Sequence, residues 1–252
     1  MIESVCRSPI VLLIKLLKLN SISLVTRAVT KEGFRDMKLH LNLTGNLKCY
    51  LLAFGLPLIF FSARRLLPII VSGHSEWLGG FTFQNVLASV FMLAALSAVQ
   101  SIGLLGEELG WRGYMNQKME LLLGTVGTCL VGGIVWGLWH FPMDISGYLD
   151  GNGTFSEVLF STFGRLAMLT CFGAFLMWLT KKTNSVFPSV IAHFMYNESQ
   201  GAVMSLLAQG NIPENTSLPL WTDVMRYLPL LVIAVIFMIL LLKNKKKENK
   251  TL

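Results

Sequence analysis

Apolar residues in this chain come in long, almost uncharged runs separated by short polar stretches, rather than in the narrow stripes of helices that keep one face in water. A bilayer core about 30 Å thick requires roughly 18 or more such residues per helix. On that pattern we read spans at about 49–72, 84–105, 120–140, 156–179, 185–207 and 224–242, with a weaker seventh at 10–28. The run from Ile10 to Leu17 contains Lys15, meets Lys18 just beyond it and is followed by no small-residue cleavage pattern, so it reads poorly as a signal peptide. It is either an amphipathic helix lying at the membrane surface or the remnant of a first span. The expected fold is all-α, a polytopic transmembrane bundle of six to seven spans. Residues 1–48 form an amphipathic or partial membrane segment with a basic loop, 49–242 the membrane domain and 243–252 a basic tail.

The polar stretches alternate in charge. Those at 27–48, 106–119 and 180–184 carry lysine or arginine, among them Lys31, Arg35, Lys118, Lys181 and Lys182, whereas 73–83, 142–156 and 208–225 carry neither. Six spans then bring the basic stretches and the tail from Lys243 to Lys250 to one side, the cytoplasmic one by the positive-inside rule. Composition agrees: 53% of residues are hydrophobic, only 14% are charged, and the mean hydropathy is +0.59. The net charge of +7 sits in loops and tail, which argues for a membrane surface and against nucleic acid as its partner. Cys6, Cys49, Cys129 and Cys171 are far apart and form no C-x-x-C pair, so they read as packing residues. Asn152-Gly153-Thr154 matches a glycosylation sequon, a weak signal on its own.

Charges inside spans need a reason. Arg64 and Arg65 are read as snorkelling, while Arg165 either snorkels, faces the bundle interior or marks a break. Three polar clusters carry candidate chemistry: Glu107-Glu108 with Arg112, Trp136 with His140, and His193 with Asn197. Glu108 and Arg112 are four apart on one helix face and can form an ion pair, while Glu107 points about 100° away. His193 and Asn197 also lie one turn apart. A chain that turns near Gly124 can bring Glu107 and His140 to similar depth, provided the second long helix continues past 105.

At these residues the chain resembles the CAAX prenyl protease and bacteriocin-processing membrane family (CPBP, or Abi), whose motifs are EExxxR, FxxxH and HxxxN/D in that order. The likeness covers roughly residues 45–205, with Trp136 in place of the phenylalanine. It implies that 49–242 is an intramembrane endopeptidase domain acting on membrane-associated peptides or lipidated proteins. Glu107 with His140 would activate water, His193 and Asn197 would face the oxyanion, and Glu108 with Arg112 would support the helix. Glu107, His140 and His193 could also hold zinc, so a metalloprotease and a metal-free glutamate peptidase both stay open. A noncatalytic bacteriocin-immunity protein of the same fold is the alternative reading. A proton-coupled carrier is disfavoured because the chain shows no repeated halves.

Overall fold

The structure, a computed structural model, describes residues 25–151, 153–210 and 228–248. The weak span at 10–28 falls almost wholly outside these residues, as do Cys6, Asn152 of the sequon, most of the 208–225 stretch and the end of the tail. No strand occurs among the described residues, and beyond a helical stretch at 25–30 the helices are α1 (Leu47–Val71), α2 (Phe83–Gly110), α3 (Asn116–Trp139), α4 (Phe141–Leu149), α5 (Phe155–Thr183), α6 (Phe187–Ala208) and α7 (Leu228–Glu248). A 3-10 turn at Ser75–Leu78 follows α1, and a π-helical turn at Trp111–Met115 joins α2 to α3.

Among the described residues four stretches are long and apolar enough to cross a membrane: Leu47–Val71, Phe83–Ser101, Gly103–Leu149 and Phe155–Thr183. The spans read at 185–207 and 224–242 fall on α6 and α7. Helix α6 has the length, but Ser189, His193, Asn197, Glu198, Ser199 and Gln200 make it too polar for lipid. It is walled by protein instead, packing against α1 and α2 with Ala192, Phe194, Met195 and Val203 buried. Helix α7 is apolar from Leu228 to Leu242, before its lysines begin. The lipid-facing side is built from residues such as Leu51, Ile59, Phe91, Leu122, Phe160 and Val235, which are large, apolar and exposed.

The third stretch doubles back. Gly124 has φ 64° and ψ 180°, a conformation that breaks the helix and is open to glycine at little steric cost. The chain therefore reverses near Gly124, where the sequence placed its turn. The returning half of α3 lies close against α5. A Cβ on Gly133 would sit 2.3 Å from Thr170 Cα, and one on Gly137 would sit 2.6 Å from Leu166 Cδ2. This is a small-xxx-small contact, the arrangement that lets membrane helices approach backbone to backbone.

Two polar stretches of the sequence fold further than expected. The 142–156 stretch contains α4, with Pro142 in its first turn, where a missing N–H costs nothing. Thr154 and Glu157 then form a capping box that starts α5. The segment before α1 is a strap rather than a free loop. Arg27 is buried, donates to Gly33 O at 2.9 Å and to Gly113 O at 3.2 Å, and is paired with Asp36. Val186 N donates to Lys38 O at 3.0 Å, and Asn42 Nδ2 donates to Thr183 O at 3.1 Å. The strap thus ties the π-helical turn to the α5–α6 junction.

Candidate active site

The end of α2 and the π-helical turn present Glu107, Glu108 and Arg112, and the hairpin at Gly124 returns the chain so that Trp136 meets them. Arg112 Nη1 donates to Glu108 Oε1 at 2.9 Å, the i,i+4 pair expected of a helix, even though a π-helical turn intervenes. Both side chains are almost completely buried. The guanidinium also lies over the Trp136 indole, 4.2 Å from the ring centroid, a cation–π contact that helps to compensate its burial.

His193 joins the same group from the middle of α6. Its Nδ1 lies 2.8 Å from Glu108 Oε1, so a single carboxylate oxygen serves partners from α6 and from the π-helical turn. This departs from the sequence reading, which kept the Glu108–Arg112 pair apart from the histidine. The contact has a chemical consequence. With Nδ1 directed to Glu108, His193 keeps Nε2 as its other ring nitrogen.

Trp136 stands between the two histidines. Its ring centroid is 5.2 Å from that of His193, edge to face, and 6.3 Å from that of His140. His140 caps α3, with Nδ1 2.9 Å from Trp136 O, and is half-buried against Trp139. If Nδ1 carries the proton for that carbonyl, Nε2 is left as an acceptor, the form a proton-relaying imidazole requires. Glu107 is also half-buried, and Arg112 is within Coulombic reach of both glutamates. Asn197 lies one turn beyond His193 on α6 and is exposed.

Among the described residues no three His, Cys, Asp or Glu side chains come together as a metal-holding group.

The sequence reading missed one neighbour of the site, Asp144. Its side chain is buried on α4, four residues after His140, and Arg165 of α5 grips it with Nε at 3.0 Å and Nη2 at 2.6 Å. Arg165 therefore faces the bundle through a two-pronged pair. The signal was present, because an arginine in a span calls for a carboxylate partner. Arg64 Nη1 donates to Met168 Sδ on α5 at 3.1 Å.

Residues 82–198, from the cap of α2 to the middle of α6, match the family model described as Rce1-like: Type II CAAX prenyl endopeptidase Rce1-like. All three motif clusters lie within that segment, and the resemblance read from them is borne out. The chain is also 27% identical over 155 residues to the CAAX prenyl protease 2 of Methanococcus maripaludis, a match covering 58% of this chain and 55% of that protein. It thus spans about half the length of the curated relative it matches. No solved structure matches.

Proposed function

From the premise that residues 82–198 carry the Rce1-like endopeptidase pattern, we propose that this protein is an intramembrane endopeptidase that hydrolyses lipidated, CAAX-type C-terminal peptides. In this reading Glu107 takes a proton from water as its oxygen attacks the scissile carbonyl carbon. His140 holds or relays that proton, which passes to the amine as the C–N bond breaks. His193 and Asn197 donate to the carbonyl oxygen as negative charge develops, an interaction worth about 2.7–4 kcal/mol per donor in comparable sites. The products are a new carboxylate on the membrane-anchored part and a free peptide amine.

The observation that carries the proposal is the buried Glu108 carboxylate, held by Arg112 on one side and His193 on the other. Such a cluster is costly in a bundle unless it is used, because each ion loses its hydration. Here it fixes which ring nitrogen of His193 is free and holds the turn of helix that presents Glu107. The alternation of basic and lysine-free loops supports a cytoplasmic tail, which would put the basic loops on the side where soluble lipidated proteins are found.

The test uses the full chain in proteoliposomes with a prenylated peptide ending in a CAAX-type sequence. The wild type should release the C-terminal fragment, and Glu107→Gln and His140→Asn should abolish release while still binding the peptide. Binding without cleavage by the wild type would overturn the proposal in favour of a noncatalytic peptide-binding protein.

A further inference from the structure

Beside the Glu108–Arg112 pair lies a small cavity bounded by Trp111, Arg112, Asn116, Thr128, Gly132 and Trp136. Its space for the centre of a water molecule is about 10 Å³, enough for one water. Three residues that line it carry a buried N–H, Trp111 Nε1, Arg112 Nε and Trp136 Nε1, and among the described residues none of the three has a hydrogen-bond partner. Buried polar groups are ordinarily satisfied by protein or ordered water, and these three donors sit on residues that share one cavity. Asn116 and Thr128 add oxygen atoms to the same walls, so a water here has both donors to accept from and acceptors to donate to.

A second polar cavity, with about 20 Å³ of the same kind of space, is bounded by Arg112, Asn116, Gln117, Glu120, Thr180 and Lys181. It lies at the basic face, where Lys181 is paired with Glu120 at 2.7 Å. Arg112 and Asn116 belong to both cavities. We propose that a hydrated passage enters the bundle from this basic face, passes Asn116 and ends at a water site held by Trp111, Arg112 and Trp136. The passage keeps the buried carboxylate–guanidinium–imidazole group in contact with aqueous solvent through protein and not through lipid. It satisfies Arg112 Nε, which stacking on Trp136 leaves without an acceptor. The inference does not depend on the proposed peptidase activity.

The glycines on the cavity wall provide the test. A Cβ on Gly132 would come within 3.3 Å of Asn116 Oδ1, and one on Gly173 within 3.8 Å of Arg112 Nη2, so alanine at both positions fills the space with no backbone clash. Hydroxyl-radical footprinting of the full chain in lipid nanodiscs reads internal water directly, because bound water is a local source of the radical. In the wild type Trp111 and Trp136 should be oxidised despite their burial, while the fully buried Phe175 of the dry core should not. The double variant Gly132→Ala/Gly173→Ala should lose the tryptophan labelling and leave exposed sites unchanged, and Asn116→Leu should lose it by closing the shared wall. Unlabelled tryptophans in the wild type would overturn the proposal whatever the variants do, and so would labelling that persists in folded variants.

Discussion

Glu108 Oε1 accepts from Arg112 and from His193, and everything at the residue scale follows from that shared oxygen. Removing the charge strands a buried guanidinium, a loss of about 3–5 kcal/mol in comparable pairs. Glu108→Gln should therefore lower the thermal unfolding temperature in detergent markedly, whereas Glu107→Gln should leave it close to wild type. Equal and small shifts for both would contradict the roles assigned to the two neighbours. The Glu108–Arg112 half of this arrangement could be read from the chain because it is local, four residues on one face. The His193 half could not, since a bond between positions 85 apart depends on how α6 lies against α2, and one sequence does not report it. Asp144 was passed over for a related reason: it sat in a stretch read as a loop, and its partner Arg165 is 21 positions away.

Among the elements, the contact of α3 with α5 is set by what is missing from Gly133 and Gly137. Alanine at 133 would drive a methyl into the Thr170 backbone, and overpacking of this kind costs about 1–3 kcal/mol. Gly201 on α6 offers the control, because a Cβ there meets nothing within 4 Å. Gly133→Ala should lower the unfolding temperature and Gly201→Ala should not; the same shift in both would sink the close-packing account. The Asp144–Arg165 pair is the other fixed point, fastening α4 to α5 just beyond His140. Asp144→Leu should speed amide exchange over 141–149 without changing exchange in α6. The break at Gly124 was legible because glycine between apolar runs announces a turn. Helix α4 was not, since Pro142 and the glycines around it read as loop chemistry. Helix α6 was found by its length, yet its polar residues show that length alone does not decide what surrounds a helix.

At the scale of the molecule, the described residues include four apolar stretches long enough to cross a membrane, α6 packs among them, and the strap over residues 27–42 is tied to the π-helical turn. The hydrogen bond from Arg27 holds the Asp36 carboxyl below the usual carboxylate range. A depressed native value means that the pair's contribution is complete above the ordinary pKa of 3.8 and is lost as pH falls through the lower native one. Protease nicking of residues 27–42 should accordingly stay slow near neutrality and accelerate only in strong acid, and Arg27→Ala should make it fast at every pH. A strap equally resistant in that variant would show that Arg27 does not hold it.

Water activated by Glu107 is the step on which the functional account rests. A single turnover of a prenylated CAAX-type peptide in 18O-labelled water, with the chain in proteoliposomes, examines it most directly. The account predicts that the wild type places the heavy oxygen in the newly formed carboxylate and that Glu107→Gln, folded and peptide-bound, places none. Equal incorporation by the two proteins, or none by the wild type, would contradict it.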